Sequence, residues 1–293
     1  MDTSKYKILL AVIKTGSYSA ASESLGYTVS GISRMISSLE EETGFQLLIR
    51  NKTGVVPTAE CKELLPDLER LVQQAELCQQ KINAVCGLET GTVRIGTAYS
   101  VFYKTIAEIT AEFHRSHPGI LIQIQNGHST ELANALNRGE LDLCIISRRE
   151  SCKNWVSLFT NELMAAVPES DPLALKSEIS INAFSTHAYI ETYPQTETDN
   201  MLAFRKHQIH PNVQFTTVDS YATRAMVAAG LGIALNNQLN TIGWEQHGIA
   251  LRPVTPGLPV EIGIAVSQTP SKAVQLCLEQ LRQKLTSEKD LLG

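Results

Sequence analysis

The run Ser17 to Glu42, SYSAASESLGYTVSGISRMISSLEEE, constrains this chain more than any other stretch, because it reads as two short helices joined by a tight turn. Ser17 or Ser19 can accept from the free N–H groups that open the first helix. Small Ala20 and Ala21, with Leu25, give that helix a face a neighbour can approach closely, and Gly26 supplies the residue that ends it. Thr28 offers a hydroxyl to a second helix, along which Ile32, Ile36 and Leu39 recur at i, i+4 and i+7 as an inward stripe. Ser30, Ser33, Arg34 and Ser37 fall outside that stripe. An exposed face with one Arg and several hydroxyls suits the major groove, where Arg reads guanine and Ser reaches bases or phosphates. An ordinary surface helix is the competing reading of the same pattern.

The flanks fit a DNA-reading unit. Tyr6, Leu9, Leu10, Val12 and Ile13 make Lys5 to Lys14 a largely apolar supporting helix that Thr15-Gly16 breaks. Phe45 to Arg50 reads as a strand, Asn51 to Gly54 as a turn and Val55-Val56 as a second strand closed by Pro57. Arg50 and Lys52, near the tip of this hairpin, are placed for backbone phosphate, which positions a protein without reading sequence. The overall charge of −5 disfavours nucleic acid only until it is divided along the chain. Residues 1–57 carry six basic against five acidic groups, and the remainder nineteen against twenty-five. The acidic run Glu40 to Glu42 can sit away from phosphates while Lys5, Lys7, Arg34, Arg50 and Lys52 face them. So few cations predict weak binding per protomer, and a dimer or tetramer to build affinity.

LGYTVSGISRMISSLEEETGFQLLIRNKTGVVPT, with GSYSAASESL upstream, resembles the winged helix-turn-helix of the LysR-type transcriptional regulators, and the chain length is typical of them. Val29 stands where that family usually has Gln, Thr53 where it has Arg and Cys61 where it has Gly. The inward spacing would bury Val29, whereas the resemblance implies that it faces DNA, through a thymine methyl.

From Thr58 to Cys86 the pattern becomes one long helix. Cys61, Leu64, Leu68, Leu71, Ala75, Cys78, Ile82 and Val85 lie alternately three and four apart, an a/d seam. Pairing with a second copy would cover that seam, so we expect a homodimer. Packing on its own DNA-binding unit is the rival. Pro66 should kink the helix near Lys62.

Beyond a hinge at 87–91, strands (92–97, 120–125, 141–146) alternate with helices (101–116, 130–137), which predicts a parallel sheet. Further strands are expected at 162–167, 213–217, 232–235 and 261–266, with helices near 180–184, 220–229 and 271–284. The fold class is therefore α/β. This region resembles the two-lobed, periplasmic-binding-protein-like effector domain of the LysR family. The resemblance implies a winged helix-turn-helix at 1–57, a linker helix at 58–86, and an effector unit at 92–293. Its first lobe would hold 92–159 and 268–293 and its second 160–267, the chain crossing near Phe159 and returning near Ser267. Ligands of open α/β sheets bind at the carboxyl ends of the strands. Here those ends offer Tyr99, Ser100 and Val101, then His128, Ser129 and Thr130, then Ser147, with Thr192, Tyr193 and Asn236 opposite. Asn236 replaces a proline frequent in the family. Two of these loops open helices whose free N–H groups favour an anion, and neither loop holds a carboxylate, so a small carboxylate is the expected effector. Plain helix capping by Ser100 and Thr130 is the rival.

Other chemistry is disfavoured. His114 and His117 precede Pro118 at a helix end, and with His128 they lack the partners of a metal site. Gly230-Leu231-Gly232 is too short for a dinucleotide loop, and no catalytic motif or cofactor site is expected. A peroxide-sensing member of the resembled family would carry two cysteines in the second lobe, and none of the six here falls between Phe159 and Ser267. No apolar run reaches the ~18 residues of a membrane span, and Asp2 opens no signal peptide, so a cytoplasmic protein is expected. A solute-binding protein or an enzyme on the two-lobed fold is the alternative, which leaves residues 1–57 without a purpose.

Overall fold

The computed structural model describes residues 3–51, 54–85 and 90–287. The chain forms two compact units that divide after residue 89. In the first, α1 (Thr3–Thr15), α2 (Tyr18–Leu25) and α3 (Val29–Thr43) precede a hairpin of β1 (Leu48–Asn51) and β2 (Gly54–Pro57). Local chemistry sets these boundaries. Ser17 Oγ accepts from Ala20 N at the start of α2, Gly26 ends it at φ 70°, and Thr28 Oγ1 accepts from Gly31 N at 3.1 Å to open α3. Ile32, Ile36 and Leu39 are buried with Leu9, Val12 and Ala21, as their spacing predicts. β1 starts later than expected because the Glu40 carboxylate accepts from Leu47 N at 2.8 Å and Leu48 N at 3.2 Å, holding that stretch as a loop. The expected turn residues Lys52 and Thr53 lie outside the described residues, as do 86–89 of the linker end and hinge.

α4 (Ala59–Val85) is a single helix with Pro66 inside it. Part of its apolar surface is covered by its own unit. Cys61 and Val72 are buried in the first unit's core, with Leu65, Leu68 and Leu71 packed against them. The expected seam therefore splits, because Cys78 and Ile82 remain exposed.

The second unit opens with β3 (Gly91–Thr97), a 3₁₀ turn at Ser100–Phe102, α5 (Tyr103–Ser116), β4 (Ile120–Asn126), α6 (Ser129–Asn137) and β5 (Leu143–Ser147). There follow β6 (Asn154–Pro168), β7 (Ile179–Ser180), α7 (Ala183–Thr186), β8 (Tyr189–Thr192), α8 (Asp199–Lys206), β9 (Val213–Thr217), α9 (Ser220–Ala228) and β10 (Ala234–Asn237). β11 (Ile249–Thr255), β12 (Pro259–Val266) and α10 (Lys272–Ser287) complete it. The sheet runs β4-β3-β5-β12-β6-β11-β7, with β10 also on β6. It is parallel across β4-β3-β5 and between β11 and β7, while β12 pairs antiparallel with β5 and β6, and β10 and β11 with β6. The expected parallel sheet is thus corrected to a mixed one.

Two cores make two lobes. Val93, Ile95, Phe113, Ile145, Ile264 and Leu281 fill one, and Leu163, Phe184, Tyr189, Phe204, Ile233 and Leu235 the other. β6 crosses between them as a single 15-residue strand, and β12 returns along it, from Pro259 opposite Glu162 to Val266 opposite Asn154. The return falls near Val260 rather than at Ser267, because Ile262, Ile264 and Val266 already belong to the first core. Gly263 is required there, since a Cβ would stand 2.4 Å from the Val156 carbonyl and 2.5 Å from the Trp155 ring. No described helix is long and apolar enough to cross a membrane.

Candidate ligand cleft and nucleic-acid interface

On the first unit, Ser30, Ser33, Arg34 and Ser37 share one open groove along α3 with Ser38 and Glu41. Val29 is 44 % exposed beside them, so the inward spacing does not bury it: at the first helical position it precedes the turn that packs on the core. The Thr28 hydroxyl is occupied by the cap it makes and lies 3.3 Å from Ser30 Oγ. Arg50 is exposed and stands 5.1 Å over the Tyr18 ring. Two expected phosphate contacts are corrected. Lys5 Nζ is ion-paired with Glu42 and donates to Ser38 Oγ at 2.9 Å, and Lys7 Nζ pairs with Glu76 on α4 at 3.1 Å. Glu40 and Glu42 of the acidic run are spent on these internal ties, while Glu41 stays on the groove rim.

Between the lobes of the second unit lies a polar hollow of about 110 Å³, a scale that admits a small organic molecule. Seven of the ten residues expected there line it: Tyr99, Ser100, His128, Ser129, Thr192, Tyr193 and Asn236. Val101 instead packs against the first core, and Thr130 and Ser147 lie behind the wall. Neither Ser100 nor Thr130 is a helix cap. The 3₁₀ turn and α5 open without a side-chain cap bond, and α6 is capped by His128 Nδ1, which accepts from Glu131 N at 3.3 Å. A larger hollow of about 250 Å³ on the far side of Leu163, Arg149 and Asp199 contains none of the expected residues.

Sequence reasoning missed the groups that close the wall. Arg149, 7 % exposed, donates from Nε to Thr130 Oγ1 and from Nη1 to Ser147 Oγ, both at 2.8 Å, and pairs with Asp199 at 2.9 Å. Ser147 Oγ lies 2.8 Å from the Asp199 carboxylate and from Ser129 Oγ, while the Thr130 hydroxyl donates to the Glu197 carbonyl. Asp199 and Glu197 belong to the second lobe, so this network ties the lobes across the cleft. It also brings a carboxylate to the cleft from outside the two expected loops, because Asp199 lines the hollow. The missing signal is physical: Arg149 and Asp199 are fifty positions apart with no periodicity linking them. Only the Thr198 cap of α8, accepting from Met201 N at 3.3 Å, marked that segment locally.

Burial sets the protonation of the cleft. It lowers the His128 pKa, opposed by Glu131 and Asp199 and aided by Arg149, so the ring is neutral at pH 7. Burial, helped by Asp199, pushes the Tyr99 phenol well above its usual range. Tyr99 Oη lies beside Ser129 and Ser147 without closing a hydrogen bond, and Asn236 Nδ2 and Asn237 Nδ2 have no partner among the described residues. Also among the described residues, no three His, Cys, Asp or Glu side chains gather in a possible metal site.

A helix-turn-helix with an exposed Arg- and Ser-bearing face, followed by a two-lobed unit with a polar cleft, defines a ligand-binding protein equipped for DNA. The description "Bacterial regulatory helix-turn-helix protein, lysR family" matches residues 4–62 and "LysR substrate binding domain" matches residues 87–286. The chain belongs to the LysR family of DNA-binding transcriptional regulators, with an effector-binding domain. It is 28 % identical over 251 residues to the uncharacterized HTH-type transcriptional regulator YybE of Bacillus subtilis, covering 84 % of this chain and 85 % of the relative. It is 23 % identical to the uncharacterized regulator YvbU of the same organism, over 98 % of this chain and all of that one. A full-length OxyR variant from Pseudomonas aeruginosa shares the fold, with TM-score 0.69 and 18 % identity over 97 % of this chain and 94 % of that one.

Proposed function

We propose that this regulator binds an inverted-repeat operator as a dimer or tetramer and changes its grip when a small carboxylate enters the cleft between its lobes. The observation that carries the effector half is the hollow into which both lobes send polar side chains, with unpartnered donors at Tyr99, Asn236 and Asn237. The DNA half rests on the open face of α3, on which Val29, Ser30, Ser33, Arg34 and Ser37 meet base edges while Thr28 positions the helix; Arg50 and Lys52 meet phosphate. A two-fold assembly through α4 gives a two-fold operator. Such a protein works in the cytoplasm, where its DNA is. A solute-binding protein or an enzyme is disfavoured, because relatives aligned over the whole chain are named as regulators.

Footprinting of the full chain on the DNA upstream of its own gene tests this reading. Two protected half-sites on one face of the duplex are expected, with spacing or affinity altered by one member of a carboxylate panel. Protection that no panel member changes would remove the carboxylate, and absence of protection would remove the operator.

A further inference from the structure

We propose that the cleft is built for a zwitterion, a ligand carrying an ammonium beside its carboxylate, with Asp199 taking the ammonium and the Asn236-Asn237 amides taking the carboxylate. This rests on the reading of the cleft as the effector site and narrows the carboxylate class within it.

The unpartnered groups define one end. Asn237 is 5 % exposed, and its Oδ1 accepts from Leu239 N at 3.0 Å, which fixes the orientation of the amide and leaves Nδ2 facing the hollow without an acceptor. Asn236, 6 % exposed on the same strand end, has the same deficit at Nδ2. A buried donor left unmade is costly, so two of them lining one hollow call for an acceptor-rich group, which a carboxylate supplies.

Charge defines the other end. Among the described residues lining the hollow, Arg149 is the one full cation and Asp199 the one anion, and they pair with each other. His128 adds no charge at pH 7. A simple carboxylate would therefore leave a buried net charge of minus one, whereas a zwitterion leaves none. Asp199 borders the hollow, and the Arg149 and Ser147 donors do not exhaust the roughly four acceptor sites of a carboxylate.

Calorimetry of the full chain tests this with the twenty common amino acids, each beside the same acid without its amino group and the amine without its carboxylate. At least one amino acid is expected to bind, with its dissociation constant rising tenfold or more on removal of either group. Asn237→Asp keeps the acceptor for Leu239 N but replaces the donors with a negative charge, and should weaken that amino acid at least tenfold. Asp199→Asn should cut the preference for the amino group below threefold and strengthen binding of the deaminated acid. Should Asp199→Asn fail to fold, the matched ligands on the unmodified chain decide alone. Equal binding of an amino acid and its deaminated partner, or no binding by any amino acid at millimolar concentration, overturns the proposal. A deaminated acid that binds tighter and depends on Asn237 overturns the zwitterion and leaves the carboxylate-responsive regulator standing. Failure of the unmodified chain to bind its upstream DNA is the separate outcome that sinks the regulator reading.

Discussion

Arg34 sits exposed in the α3 groove, and a guanidinium on a recognition helix is worth most where it bridges a guanine edge. Arg34→Ala should weaken operator binding by ~1–3 kcal/mol and blur one base position, whereas Lys52→Ala should weaken all sequences alike and flatten the salt dependence. Fluorescence anisotropy at three salt concentrations, on operator and scrambled DNA, separates the two; equal losses on both DNAs for Arg34 would reduce it to a phosphate contact. The cysteines give a second test. Burial, with Glu40 adding, pushes the Cys61 thiol up to about 11, and burial, with Asp142 adding, pushes Cys277 up to about 12. The thiolate is the reactive form, so a raised pKa leaves only ~0.1 % of Cys61 reactive at pH 8. Mass mapping after a disulfide reagent at pH 8 should show exposed Cys78 labelled first, with Cys61 and Cys277 labelled only in denaturant. Early labelling of Cys277 would contradict its burial. At this scale the sequence revealed caps and stripes, because Ser17, Gly26 and Thr28 act within three or four residues of themselves. It hid Arg149 and Asp199, whose meaning arises only when distant segments share a cavity.

α4 shows how a periodicity can be read correctly and still mislead about its partner. A stripe of Cys61, Leu65, Leu68 and Val72 has the same three-and-four spacing as the expected seam and shares Cys61 and Leu68 with it, yet it faces the helix's own unit. Leu71 also packs there, so Leu71→Glu would damage that core as well as any dimer. Of the expected dimer positions Leu64, Leu68, Leu71, Ala75, Cys78 and Ile82, the last is the cleanest probe, being 50 % exposed in the single chain. If α4 pairs with a second copy, Ile82→Glu buries a carboxylate and should raise the dimer dissociation constant at least tenfold, about 1.4 kcal/mol, with the monomer's melting unchanged. Sedimentation at micromolar concentration decides it, and an unchanged oligomer would place the interface elsewhere. The strands carry a similar lesson. The half of β6 from Glu162 was legible as a mostly apolar run, but Asn154 to Asn161 mixes exposed and half-buried positions, ending on buried Asn161, without the period of two that marks a strand, and so hides the crossing strand. Strand–helix alternation correctly gave β3, β4 and β5; it says nothing of strands that return without a helix, which is how β12 comes to lie antiparallel.

Across the effector unit, polar ties between the two lobes converge on one buried guanidinium. Arg149 pairs with Asp199 of the other lobe, while Thr130, which accepts from Arg149, donates to the Glu197 carbonyl. With side chains 8 % and 17 % exposed, this pair is little screened by water. Removing one partner strands the other's charge, so Asp199→Ala should cost ~3–5 kcal/mol, seen as a large fall in the melting temperature of the full chain. Replacing both, Arg149→Met with Asp199→Leu, removes the charges together and should recover most of that loss. The double change separates two roles the tie can have. A ligand shifts an equilibrium between lobe arrangements only by binding one of them better. If the ion pair merely braces the cleft wall, the double variant melts near the parent and keeps the parent's effector-free and saturated grips on the operator, its midpoint moving only through the lost Asp199 contact to the ligand. If it sets the balance between arrangements, the double variant regains stability while its effector-free grip on the operator moves toward the ligand-bound level, and anisotropy with and without effector reads that shift directly.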